Sequence, residues 1–260
     1  MLNTFIHFSQ PIFQLQRPRP WRSICVTALA SLAMLQGCAN LDTAMATNAA
    51  LEGVQAVTLS DEQIKSVSRQ AAEKMDSTNT VAPASNAYSQ RLRRLVAPHQ
   101  TVDGVTLNYA VYLADSVNAF AMPDGTVRVY SGLMDILSDE ELLFVIGHEI
   151  GHVLLEHSKK STQLAIAASA IRKGTASVGG TIGQIAQSEL TTLGQNIVQA
   201  QFSQKEEKSA DDYGLEFLRK SGYTPTAAVS ALRKLGTEGG GLLASHPNPQ
   251  DRADRLAGKL

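Results

Sequence analysis

The sequence predicts an α+β fold, a mainly helical body that carries a small antiparallel sheet. Three observations lead there. Apolar residues recur at helical spacing in segments that open on Ser, Thr or Pro, the signals of a helix start. One region, Val105 to Tyr130, instead alternates with period two. Between the two kinds of segment lies Ser138 to His157, a helical pattern with two histidines one turn apart. At 260 residues, 43% hydrophobic and 18% charged, the chain can bury a full core in one domain with appendages.

The first element is not part of that core. Arg17, Arg19 and Arg22, with Pro11, Pro18 and Pro20, precede an apolar run from Ile24 to Leu35. The run is too short to span a bilayer, which takes ~20 residues, and suits the middle of an export signal. It ends in Leu35-Gln36-Gly37-Cys38, which resembles the lipobox of bacterial lipoproteins, where the Cys is lipidated and becomes the first mature residue. An ordinary signal with a chance Cys is the alternative. Cys25 would leave with the signal, so Cys38 has no intramolecular disulfide partner and suits an anchor. Ala39 behind it implies, by the same resemblance, passage to the outer membrane. Residues 1–37 are therefore expected to be the signal, 38–59 a lipidated N-terminus and spacer, and 60–260 the folded domain. A chain beginning at Cys38 has 20 basic against 24 acidic groups, a formal charge of −4, which excludes a basic field for nucleic acid. Arg91, Arg93 and Arg94 form the one dense basic cluster and read as a solvated helix face.

In the domain, Ser60 with Gln63 has capping-box spacing and opens a helix to about Met75. A second helix is expected from Pro83 to Ala97, stopped by Pro98. Val105, Leu107, Tyr109, Val111 and Leu113 then form one face of a strand ending at Ala114. Val117–Met122 and Thr126–Tyr130 follow as strands joined by the turn Pro123-Asp124-Gly125, giving a three-stranded antiparallel meander. Asn118, Ala119 and Phe120 fall on a strand beside the cleft. An open edge there suits an extended peptide, bound through main-chain hydrogen bonds.

Ser138 and Glu141 repeat the capping box, and Leu142, Leu143, Val145, Ile146, Ile150, Val153 and Leu154 predict one buried face. On this helix His148 and His152, at i and i+4, can ligate one Zn²⁺, with Glu149 placed to act as acid/base on a water. A buried helix whose histidines are satisfied by carbonyls is the competing reading. Gly147 and Gly151 cost helix propensity, roughly 1 kcal/mol each, and leave room for another backbone. Residues 161–204, with three charged side chains and glycines at 174, 179, 180 and 183, read as helical pieces over the cleft: a mobile lid or an interaction surface.

Lys205 to Asp211 then places Glu207 and Asp211 at i and i+4. A catalytic zinc site takes three protein ligands and keeps one position open. Glu207 can supply the third ligand, with Glu206 as competitor, and Asp211 can accept the outer N–H of a ligating histidine. Taken alone, the run is equally a solvated face of paired charges. Thr224-Pro225 opens a further helix ending near Gly236. The loop Gly239–Gly241 leads to Ser245-His246-Pro247 and a last helix with Arg252, which either holds a carboxylate or decorates the surface. His99 and His157 have no partners at ligand spacing and read as exposed.

Five motifs now accumulate: N-A-F-A-M at Asn118, V-Y-S-G-L-M at Val129, G-H-E-I-G-H at Gly147, F-S-Q-K-E-E-K-S-A-D-D-Y at Phe202 and S-H-P at Ser245. On these the chain resembles the zinc metallopeptidases related to HtpX and the CAAX prenyl proteases (metallopeptidase family forty-eight), in their envelope lipoprotein branch of the LoiP and YcaL type. The likeness covers nearly all of the mature chain. It implies a gluzincin-like zincin domain and one Zn²⁺ held by His148, His152 and Glu207. It further implies Glu149 as the acid/base and His246 as a hydrogen-bond donor to the developing oxyanion. It implies unfolded or misassembled envelope proteins as substrates, cleaved in the periplasm by an enzyme held at the outer membrane. Gln204 stands where the family often has Arg, so no ion pair is expected there. A lipoprotein chaperone or assembly factor, with cleavage secondary, is the alternative of another class.

Overall fold

The computed structural model describes residues 59–173, 187–238 and 240–260. The expected signal, Cys38, the spacer through residue 58 and the glycines at 174, 179, 180, 183 and 239 lie outside them. The described elements run α1 (Asp61–Thr78), α2 (Ala87–Val96), β1 (Thr101–Val102), β2 (Val105–Thr106), β3 (Asn108–Tyr112), β4 (Ala119–Ala121) and β5 (Thr126–Tyr130). They continue with α3 (Ser131–Ile136), α4 (Asp139–Leu154), α5 (His157–Lys173), α6 (Gln187–Val198), α7 (Gln204–Lys220), α8 (Thr226–Glu238), α9 (Leu242–Ser245) and α10 (Pro249–Ala257).

Local chemistry sets the helix starts. Both expected capping boxes form: Gln63 N–H donates to Ser60 Oγ and Ser60 N–H to Gln63 Oε1, and Glu141 and Ser138 repeat the pair. α2 begins later than expected, because Pro83 to Asn86 form a turn and Asn86 Oδ1 caps Tyr88 N–H at 2.9 Å. Arg91 is no solvated bystander. Its guanidinium donates to the Met134 and Leu137 carbonyls and to Asp139, fastening α2 to the entrance of α4.

The sheet departs from the expected meander. Its order is β3–β5–β4, with β4 antiparallel to β5 but β3 parallel to it. Val105–Thr106 leaves the long strand and pairs antiparallel with Thr101–Val102. The alternating face nonetheless turns to the core: Leu107 and Val111 are buried, and Val105, Tyr109 and Leu113 pack against the same core. That core joins one face of the sheet to α2, α4, α7 and α8. A second core lies on the other face, where Val67, Ala72 and Met75 of α1 meet Tyr112, Phe120, Met122, Ala165, Leu193 and Ile197. The pieces expected over the cleft, α5 and α6, are thus anchored with α1 in a layer of their own.

α4 is the centre of the larger core. It is buried from Glu141 to Val153, on every side rather than on the one face expected, as befits a helix that is apolar nearly all round. Its tightest neighbour is α7. A Cβ on Gly214 would lie 3.0 Å from the His148 backbone nitrogen, and one on Gly151 would lie 3.3 Å from Ala210 Cα. The room that these glycines leave is filled by the facing helix.

Candidate active site

α4 presents His148, Glu149 and His152, and α7 brings Glu207 and Asp211 across from them. His148 Nε2 and His152 Nε2 lie 3.0 Å apart. Glu207 Oε1 lies 3.3 Å from His152 Nε2, and Glu207 Oε2 lies 3.7 Å from His148 Nε2. All three side chains are buried. Glu206, one residue away, is spent elsewhere: it completes a capping box with Ser203 and pairs with Lys160 at 2.8 Å, which pulls its carboxyl down to about 2 despite partial burial.

Asp211 stands behind His148, with Oδ1 3.1 Å from Nδ1. Arg252 is buried against both carboxylates of α7. Its Nη1 lies 2.5 Å from Glu207 Oε2, while Nε and Nη2 fork onto Asp211 at 3.0 and 2.6 Å. Of the two sequence readings for Arg252, the structure selects the carboxylate clamp. Burial drives the carboxyls of Glu207 and Asp211 up, but the surrounding histidines and Arg252 outweigh it, so both stay below the usual carboxylate range.

Glu149 differs. Burial raises its carboxyl, opposed by His246 and His148, and the net direction is upward. Its Oε1 makes no hydrogen bond. His246, carried by the turn after α9, is buried beside it, with Nε2 3.4 Å from Glu149 Oε1 and Nδ1 2.9 Å from Glu207 Oε1. His148, His152, Glu207 and His246 each offer a ligand atom, all within 4.8 Å of one another, a set that could hold a metal ion.

Three features escape the sequence reading. Phe202 lies over the histidines, its ring centroid 3.8 Å from that of His152 and 5.3 Å from that of His246. His157 is not exposed but half-buried, its Nδ1 3.1 Å from His152 Nδ1. His99 packs on Phe217 with ring centroids 4.5 Å apart. One position at the β4 edge, beside the expected Asn118, Ala119 and Phe120, is taken. Ser158 Oγ donates to the Ala121 carbonyl at 3.3 Å. A cavity of only about 10 Å³ remains among Phe120, Ala121, Glu149, Ile197, Val198, Phe202 and His246.

A helix carrying H-E-x-x-H, with an acidic residue supplied from a second buried helix, defines a metal-dependent peptide hydrolase of the zincin type. The comparisons agree. Residues 83–259 match peptidase family M48, and the chain belongs to that family of metalloendopeptidases. It is similar to Metalloprotease LoiP of Escherichia coli (strain K12), 41% identical over 240 residues covering 90% of this chain and 95% of that one. Metalloprotease YcaL of the same organism is 36% identical over 238 residues, 88% of this chain and 94% of the relative. The beta-barrel assembly-enhancing protease of E. coli is more distant, 24% identical over 193 residues, 65% of this chain and 38% of the relative.

Proposed function

We propose that the chain is a zinc-dependent endopeptidase that hydrolyses unfolded or misassembled proteins of the bacterial envelope. The observation that carries the chemistry is the buried Glu149 carboxylate, whose Oε1 makes no hydrogen bond and faces His246, beside the His148, His152 and Glu207 cluster. Neighbouring ligands of tetrahedral zinc, at 2.0–2.1 Å from the ion, lie about 3.3 Å apart. His148 Nε2 and His152 Nε2, 3.0 Å apart, fit that set with the Glu207 carboxylate, whose Oε1 lies 3.3 Å from His152 Nε2 and whose Oε2 lies 3.7 Å from His148 Nε2. His246 is the poorer ligand, because its second nitrogen faces Glu149 and has no acceptor behind it other than the base itself. A zinc ion held there would polarise the scissile carbonyl and acidify the attacking water. Glu149 takes the proton of that water on Oε1 and delivers it to the leaving amine, and its upward-shifted carboxyl suits both tasks. His246 donates to the carbonyl oxygen as it gains charge.

The substrate backbone pairs with the edge of β4, at Asn118, Ala119 and Phe120, once Ile197, Val198 and Phe202 move aside. On this reading the end of α6 and the following loop act as the lid. The name of the more distant beta-barrel assembly-enhancing protease joins proteolysis to beta-barrel assembly, which supports the substrate class. The lipobox-like Cys38 supports a lipid anchor at the outer membrane with the domain in the periplasm. No described helix is long and apolar enough to cross a membrane. Glu149→Gln tests the reading: zinc content should hold while casein cleavage falls by at least ~100-fold. Proteolysis at the parent rate would refute it. Loss of cleavage with client rescue intact would favour the chaperone instead.

A further inference from the structure

The outer nitrogens of the two histidines on α4 are backed by different chemistry. Behind His148 stands a carboxylate, Asp211. Behind His152 stands another imidazole. α4 ends after Leu154, the chain turns through Glu156 at φ 61°, and His157 opens α5 with its Nδ1 3.1 Å from His152 Nδ1. His157 Nε2 in turn lies 3.4 Å from Ser209 Oγ on α7. Ser209 Oγ donates to main-chain carbonyls, 2.9 Å from Glu206 O and 3.1 Å from Lys205 O.

Two facing imidazoles do not by themselves say which one carries the shared proton. The end of the chain of bonds does. Ser209 has one hydroxyl hydrogen, and the carbonyls beside it can only accept, so that hydrogen is committed to them. The Ser209 oxygen is then left to accept from His157 Nε2–H. A neutral His157 with its proton on Nε2 has a lone pair on Nδ1, which accepts from His152 Nδ1–H. His152 is thereby left with its lone pair on Nε2, the nitrogen that faces His148 Nε2 and Glu207. Phe202, its ring tilted 30° over that of His152 at 3.8 Å, opposes rotation out of this plane.

We propose that His157 is a positioning residue for the metal site, fixing the tautomer and ring orientation of His152, and that Ser209 sets the direction of the bonds. The proposal rests on the zinc reading above. His157 is not itself a ligand, since it meets His152 on the nitrogen that points away from the Glu207 cluster. The arrangement also ties the site to the α4–α5 turn, because His157 is the first residue past it.

The test uses the full-length chain in detergent, loaded with zinc. Zinc affinity is read by chelator competition, and the ring N–H protons of His152 by nitrogen-resolved proton NMR. His157→Leu should weaken zinc binding by about 10–100-fold and expose the His152 Nδ1–H to fast exchange. His157→Gln can accept through Oε1 and donate through Nε2, so it should restore both readouts towards the parent. Ser209→Ala, at a half-buried surface position, should keep the fold and loosen protection of the same proton, which covers the case of His157→Leu failing to fold. Parent-like affinity and proton protection in both His157→Leu and Ser209→Ala would overturn the proposal. His152→Ala separates the two levels: if it retains zinc at parent affinity, the metal-site reading itself falls.

Discussion

At the scale of single residues, one cation links the two carboxylates of the site, with Arg255 3.4 Å from Asp211 alone. Arg252 is the guanidinium that both buried carboxylates of α7 share. Removing one partner of a buried ion pair leaves uncompensated charge, a change that typically costs ~3–5 kcal/mol. Arg252→Met should therefore lower the unfolding free energy of the chelated protein by an amount of that order, read as a lower urea midpoint at unchanged slope, and Arg252→Lys should lie between it and the parent. A midpoint equal to the parent's would mean that Glu207 and Asp211 do not need the cation. Much at this scale was legible because α-helical spacing alone puts His148 and His152 on one side and Glu207 with Asp211 on another. The competition between Glu206 and Glu207 was also decidable. Ser203 and Glu206 have the same capping-box spacing as Ser60 with Gln63 and Ser138 with Glu141, and a glutamate folded back onto its own N-cap is not available to a metal. Phe202 and His157 were not legible, because their contacts with His152 depend on where a loop and a helix turn end up in space.

Among elements, the decisive contact is α4 against α7, where the two halves of the site meet. Gly214 sits where a Cβ would press on the His148 backbone at 3.0 Å and on Phe144 O at 3.1 Å. Both are main-chain atoms of a fully buried helix and cannot swing away. Gly214→Ala should accordingly destabilise by roughly 1–3 kcal/mol, as overpacking does, and should also weaken zinc retention by moving His148. Calorimetry together with metal analysis checks both; an unshifted Tm would show that the helices can separate at no cost. The helices were largely readable because their caps and periodicity are local properties. The strand order was not. Sequence-adjacent strands suggest hairpins, yet β3 pairs in parallel with β5 across the intervening β4. Tertiary pairing of that kind leaves no mark on a period-two pattern.

Over the whole domain, the layer of α1, α5 and α6 is joined to the sheet by a half-buried polar anchor. Asp76 of α1 accepts from Arg128 Nε and Nη2 at 2.9 and 2.8 Å and from Tyr112 Oη at 2.7 Å. Burial pushes the Asp76 carboxyl up, but these bonds win and hold it below its ordinary 3.8. A depressed carboxyl contributes stability above its unfolded pKa and loses it as the pH falls through the lower, folded value. Asp76→Asn should thus lose stability near neutral pH and show a flatter decline below pH ~4 than the parent, measured by urea titration across that range. A parallel decline would leave the pair without a role in acid unfolding. At the other end of the chain, Cys38→Ser should abolish lipid labelling and release the protein from the membrane fraction, with the peptidase activity of the purified domain unchanged; retention in the outer-membrane fraction would point to another anchor. The crowding beside β4 has a kinetic meaning as well. On the proposed reading a substrate strand needs ~4.8 Å of space beside β4, where Phe120, Ala121, Ile197, Val198 and Phe202 now line a cavity of only about 10 Å³. On that reading only the fraction of molecules in which the space has opened would capture a chain, and the apparent dissociation constant would exceed the intrinsic one by the reciprocal of that fraction. If the proposed substrate class holds, a resting population kept mostly shut would pass over short, folded or transient strands and reserve cleavage for segments that stay extended long enough to meet an open molecule.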